Sequence, residues 1–129
     1  MTCVVDTHAL IWYFLDSDRL GHGARVFLKD GANRIVIPTI VLAELRHLHH
    51  RGRIGVSYDE LMEVIETDAR CELYSFDQDV LSRLPVELEI HDGIICATAL
   101  VLTTVSGETV KVVTRDAQIV GSGLVETIW

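Results

Sequence analysis

Thr2-Cys3-Val4-Val5-Asp6-Thr7 is the stretch from which the fold is read. Cys3, Val4 and Val5 are apolar with no polar alternation, and both valines are β-branched. That predicts a strand buried on both faces, as in the middle of a parallel sheet. The run stops abruptly at Asp6. A carboxylate at the edge of a core is costly when nothing pairs with it. In open parallel sheets the carboxyl ends of the strands face the ligand crevice. Asp6 is therefore either tied down by backbone donors, as the cap of a helix starting near His8, or held for a cation. Acids further along the chain bear on that choice.

Working outward, Ala9 to Leu15 reads as a short, heavily buried helix, and Asp16-Ser17-Asp18 as a turn. A second helix runs from about Gly21 to Lys29 or Asp30, and Gly31-Ala32-Asn33 breaks the chain. Arg34-Ile35-Val36-Ile37 is another strand without alternation. Pro38-Thr39 begins a helix, with Thr39 its expected N-cap. In the helix Ile40 to Arg51, Ile40, Glu44 and Leu48 stand four apart with Val41 and Leu45 beside them, so Glu44 lies on the apolar face. A glutamate that only solvated the helix belongs on the opposite side. The helix ends Arg46-His47-Leu48-His49-His50-Arg51-Gly52-Arg53. No second ligand cluster supports a zinc site there. A basic end favoured by the helix dipole and a phosphate-contacting patch remain as readings.

Helical spacing continues from Tyr58 to Arg70, and Cys71 to Ser75 is expected as a short edge strand. Asp77 to Leu84 reads as a helix stopped by Pro85, with Asp77 and Asp79 as helix-start acids. Ile90 to Leu102 is apolar all round and predicts a helix packed on every side. Asp92 stands at its start, as cap or as ligand, and His91 beside it reads as a structural hydrogen-bonder. Val110 to Thr114 is a further buried strand ending in Arg115-Asp116. Gly121 to Gly123 is expected as a turn, and Val125 to Trp129 as the last strand.

A length of 129 residues suits one domain spanning 1–129 and leaves room for a real core. Hydrophobic content of 49% and mean hydropathy of +0.30 place the chain among globular proteins. A net charge of −8 excludes a bulk electrostatic grip on nucleic acid, though not a local basic patch. The three cysteines, Cys3, Cys71 and Cys96, are widely spaced in or beside apolar segments and read as buried free thiols. With no secretory leader and no apolar run of bilayer length, the expectation is a cytoplasmic protein that meets no membrane.

The βα…βα…α…βα pattern predicts an α/β fold, a parallel sheet covered by helices on both faces. Asp6 and Asp116 each follow a buried strand, Glu44 follows the second strand by just over one helical turn, and Asp92 opens the helix leading to the fourth. All four face one crevice if the first and fourth strands are neighbours. Carboxylates gathered this way raise one another's pKa, and a divalent cation relieves the repulsion. All-oxygen donors select Mg²⁺ or Mn²⁺.

Val5-Asp6-Thr7-His8, the Glu44 helix, Asp92-x-x-Ile95-x-Ala97-x-Ala99 and Val113-Thr114-x-Asp116 together resemble the PIN-domain nucleases, most of all the VapC-type toxins of toxin–antitoxin modules. The likeness runs from the first strand to Ile128-Trp129. It implies a PIN-like three-layer α/β/α fold with about five parallel strands. It also implies a metal-dependent endoribonuclease, with Asp6, Glu44, Asp92 and Asp116 as catalytic and metal-binding acids. Asp6 and Asp92 are then the expected direct ligands of Mg²⁺ or Mn²⁺, with Glu44 and Asp116 acting through water or orienting the nucleophile. Thr7, Thr39 and Thr114 border these acids as caps or as contacts to carboxylate or phosphate. Many such relatives carry a basic residue directly after the third acid, where this chain has Gly93. Arg115, or the Arg46–Arg53 cluster, would supply that charge. An RNA substrate, a small antitoxin and a homodimer are further implications of the resemblance.

Two rivals are weighed against it. An aspartyl-phosphate domain also places Asp after a buried strand, but a phosphatase wants a second Asp where His8 stands. A receiver wants a Lys ending a late strand, whereas Lys111 begins one. A degenerate domain that binds RNA or protein without chemistry keeps the fold but leaves four acids without a purpose.

Overall fold

The computed structural model describes residues 1–129. Five parallel strands form one sheet in the order β3-β2-β1-β4-β5. They are β1 (Thr2–Val5), β2 (Arg34–Pro38), β3 (Cys71–Tyr74), β4 (Lys111–Val113) and β5 (Thr127–Ile128). Seven helices join them: α1 (Thr7–Phe14), α2 (His22–Lys29), α3 (Thr39–His50), α4 (Tyr58–Thr67), α5 (Gln78–Ser82), α6 (Ile90–Ser106) and α7 (Ala117–Ser122). The result is the PIN-like α/β/α arrangement that the sequence implied.

β1 is central because nothing in it needs water. Cys3, Val4 and Val5 are fully buried, paired on one side with Ile35 and Val36 and on the other with Lys111, Val112 and Val113. Parallel ladders of this kind need cover on both faces. β3 is an edge strand, as expected, and its half-exposed pattern reflects that place. The chain turns from β1 toward β2 on one side, and β4 lies on the other. The carboxyl ends of β1 and β4 thus flank the point where strand order reverses, the usual position of a crevice in such sheets.

Several local expectations are corrected. Thr39 is the first residue of α3, not its cap; Pro38 holds the cap position, and Thr39 Oγ1 instead accepts from the Phe76 N–H at 3.3 Å. α6 is capped by Glu89, whose carboxylate accepts from the His91 and Asp92 N–H groups, so Asp92 is freed from that role. His91 also bonds Glu89 through Nδ1 at 3.0 Å, a structural contact as read from the sequence. α4 stops at Thr67, because the Asp68 carboxylate takes the Arg70 N–H and guanidinium and closes a turn there. Residues 117–122 are a helix that the sequence reading lacked, with the Gly121–Gly123 turn reduced to its end. Gly123 at φ +68° gives the left-handed stop. The last strand is only Thr127–Ile128. Cys3 and Cys96 are buried, while Cys71 is partly exposed at the sheet edge.

No helix is long and apolar enough to cross a membrane.

Candidate active site

Each of the four acids reaches the site through a different element. Asp6 follows β1 and caps α1, its Oδ1 accepting from the Ala9 N–H at 2.7 Å. Its Oδ2 accepts from the hydroxyl of Thr114, which follows β4. The two readings of Asp6 are thus compatible: backbone and hydroxyl donors fix the carboxylate at the crevice edge. Glu44 sits on the second turn of α3, half-buried, and its Oε2 accepts from Thr7 Oγ1 at 3.0 Å. Asp92 occupies the first turn of α6. Asp116 caps α7, with Oδ1 accepting from the Gln118 and Ile119 N–H groups.

These four carboxylates line one cleft of about 600 Å³, together with Thr7, His8, Trp12, Arg19, Ile95, Arg115, Ala117 and Trp129. No three His, Cys, Asp or Glu side chains close into a ready-made metal group. The electrostatics nonetheless mark a negative pocket. Burial pushes the Asp6 carboxyl above its ordinary value, against the hydrogen bonds from Thr114 and Ala9. Asp92 is pushed up to about 6, first by burial and then by Asp116, Glu89, Glu44 and Asp6. The surrounding carboxylates thus act together on Asp92. An all-carboxylate donor set spread over an open cleft fits a hard divalent ion that keeps part of its water shell, with one or two acids direct and the others through water.

Of the expected contact residues, Thr7 and Thr114 take the carboxylate contact, while Thr39 and Arg46 lie away from the cleft. The Thr7 and Thr114 hydroxyls are buried and engaged with Glu44 and Asp6, so they hold acids in position. Thr114 Oγ1 also accepts from the Asp116 N–H at 3.0 Å, linking two of the acids through one hydroxyl. Thr39 lies outside the cleft lining. Arg46 stacks over Tyr58 at 4.8 Å and lines a second depression with His47, His49, His50, Ser57 and Asp59. Of the basic residues expected to contact substrate, Arg115 lines the same cleft as the acids and Arg46 does not. At Gly93 a Cβ would stand 3.1 Å from Leu84 Cδ1 and 3.2 Å from the Pro85 carbonyl, so a side chain there needs the loop after α5 to give by a few tenths of an ångström.

His8, Trp12, Arg19 and Trp129 were not expected at the site. Trp12 read as core, correctly, since it is 9% exposed, yet its ring edge borders the cleft. Nothing in local spacing marks a residue brought in from the far end of the chain.

A parallel α/β fold with carboxylates gathered at its switch point defines a class of acid-centred clefts. Residues 3–120 match the PIN domain family, and the chain belongs to that family. Solved structures share the fold, among them FitAcB and two VapBC structures. The crystal structure of FitAcB from Neisseria gonorrhoeae is 20% identical with a TM-score of 0.65, covering 98% of this chain and 96% of that one. VapBC2 from Rickettsia felis, bound to a DNA fragment from its promoter, is 16% identical with a TM-score of 0.64 over 98% and 97% of the two chains. VapBC-1 from nontypeable Haemophilus influenzae is 17% identical with a TM-score of 0.64 over 98% and 96%. No curated protein sequence matches the chain.

Proposed function

We propose that this chain, acting as one domain over residues 1–129, is a metal-dependent endoribonuclease and the toxin of a toxin–antitoxin module. The observation that carries the reading is the convergence of Asp6, Glu44, Asp92 and Asp116, from four separate elements, on one cleft. Membership of the PIN domain family supports nuclease chemistry. The VapBC names of two fold neighbours support an antitoxin partner. A homodimer in the cytoplasm completes the proposal.

Asp6 and Asp92 are assigned as direct ligands of Mg²⁺ or Mn²⁺, and Glu44 and Asp116 as acids that act through water. When bound, the ion supplies an activated water and neutralises charge on the scissile phosphate. The chain's own groups do the rest. Thr114 and Thr7 hold Asp6 and Glu44 in fixed rotamers, and Arg115 places a permanent cation beside the four acids. An aspartyl-phosphate reading fares worse, because His8 stands where a phosphatase wants its second Asp and Lys111 begins β4, where a receiver wants a Lys at a strand's end.

The test uses purified protein, single-stranded RNA, and Mg²⁺ or Mn²⁺ added or removed by chelator. Cleavage is expected only with the metal, and is expected to disappear in Asp6→Asn and Asp92→Asn. Cleavage that persists in chelator, or in both variants, rules the mechanism out.

A further inference from the structure

Besides the acids, the cleft lining carries a group of another chemistry. The Arg115 guanidinium carbon lies 4.6 Å above the centre of the Trp12 ring and 5.8 Å from that of Trp129. The two indoles meet edge to face at 5.7 Å, and the His8 ring lies 5.4 Å from Trp12. Arg115 is exposed and borders the cleft. Despite the neighbouring carboxylates it forms no ion pair and no side-chain hydrogen bond. Each ion pair in the molecule lies elsewhere. A guanidinium in an acidic cleft is expected to turn toward a carboxylate, whereas this one lies on an indole. The support beneath it is built for the purpose. At Gly21 a Cβ would fall 2.5 Å from Trp129 Cδ1, and at Gly23 one would fall 2.7 Å from the Trp129 carbonyl, so two glycines make room for Trp129.

We infer that Arg115, backed by Trp12 and Trp129, is a stacking ledge for one nucleobase of a single-stranded RNA beside the scissile bond. The inference rests on the ribonuclease reading and adds where the strand is gripped. A guanidinium is itself planar with a delocalised charge, and every base has a π-face to lay on it. Bases of a duplex are already stacked on one another, so only an unpaired strand can use the ledge. The arrangement also separates two tasks. The acids and their ion handle the phosphate, and the ledge handles the adjacent base. Because stacking tolerates any base, the preference it creates is for single strands first and for sequence second.

The chain has two tryptophans, and both are in the ledge, so its tryptophan fluorescence, excited beyond the tyrosine band, reports on this place alone. The experiment titrates the full chain, carrying Asp92→Asn to lower the repulsion of phosphate and in chelator to prevent cleavage, with a short single-stranded oligoadenylate. A ribose-phosphate strand of equal length and charge but without bases is run alongside. The oligoadenylate is expected to quench the fluorescence, and the abasic strand to leave it unchanged. Arg115→Ala, an exposed change that leaves the core alone, is expected to weaken binding about tenfold, the scale of one base stack. Arg115→Lys keeps the charge without the plane and is expected to bind as weakly as Arg115→Ala. Equal quenching by the abasic strand, full binding by Arg115→Lys, or no quenching at any soluble concentration overturns the ledge. Failure of the ledge is separable from failure of the nuclease. If wild type cuts RNA in Mn²⁺ and Arg115→Ala cuts it with unchanged KM, the nuclease stands and the ledge falls. Base-dependent quenching without cleavage in any divalent metal has the reverse meaning.

Discussion

Thr114 shows how a single side chain can carry a site without touching a substrate. Its hydroxyl is fully buried, donates to Asp6 and accepts from the Asp116 N–H, so one atom fixes two acids from opposite ends of the chain. Thr114→Val keeps the shape and removes the bridge. It leaves a carboxylate oxygen and an N–H short of partners, and is expected to weaken Mn²⁺ binding by roughly tenfold or more, the usual effect of losing a group that orients a ligand. Isothermal titration reads this, and Thr114→Ser should restore most of it. Asp92 makes the complementary case. Its native carboxyl holds a proton up to about pH 6, while an unfolded chain releases it near 3.8. Between those values the folded state binds more protons, so stability falls as pH rises through the window and the full penalty is present at neutral pH. Asp92 is partly open to solvent, which screens the effect to about 1 kcal/mol. Metal-free Asp92→Asn is therefore expected to be more stable than wild type in urea at pH 7 and to match it at pH 3.5. Asp6, Asp116 and Asp92 were legible as candidates in the sequence, because a carboxylate at the end of a buried strand or the start of a buried helix stands out against apolar neighbours. The part of Thr114 was legible only as one of several readings, because a threonine after a strand has the same local signature whether it contacts a carboxylate, contacts a phosphate or caps a helix.

At the level of elements, the same divide separates what periodicity reveals from what tertiary contacts decide. The three inner strands and the long buried helix α6 were plain from uninterrupted apolar runs. The end of α4 was not, because helical spacing continues to Ala69 while the backbone leaves the helix at Thr67. The reason is Arg70. Its guanidinium donates to the Asp68 carboxylate, to the Leu28 carbonyl at 2.8 Å and to the Asp30 carbonyl at 3.0 Å, tying the start of β3 to the end of α2. No spacing rule anticipates a contact with residues some forty positions away. Arg70→Met keeps most of the apolar stem and is expected to destabilise the protein by about 2–3 kcal/mol, with carbonyls left unpaired. Arg70→Lys should recover only part of that, since one ammonium cannot reach all three acceptors in the plane of a fork. Denaturant unfolding measures both, and an unchanged midpoint for Arg70→Met would show the clamp to be superfluous. α7 went unread for a related reason: six residues with a glycine among them carry too little pattern, and the helix is set by its Asp116 cap and buried Ile119.

On the scale of the whole molecule, strand order converts scattered acids into a site. With β1 between β2 and β4, the ends of β1 and β4, the second turn of α3 and the first turn of α6 share one rim, so residues 6, 44, 92 and 116 meet there only in the folded chain. Unfolding disperses them. A divalent ion that needs several of these carboxylates binds the native state and not the unfolded one, and so it must stabilise the fold. At an ion concentration about a hundredfold above its dissociation constant the gain is about 2.7 kcal/mol, which for a chain of this length raises Tm by roughly 10 °C. Asp92→Asn separates this from any general effect of salt. Without metal the variant is the more stable protein, because it lacks the charge that the other acids repel. With Mn²⁺ it has lost a ligand, so its Tm should move little while that of wild type rises past it. The order of the two melting curves is thus expected to reverse on adding metal. Thermal scans of both proteins, in chelator and in a Mn²⁺ series, read the crossing directly. Parallel shifts with no crossing would mean that the ion binds somewhere other than among these four carboxylates.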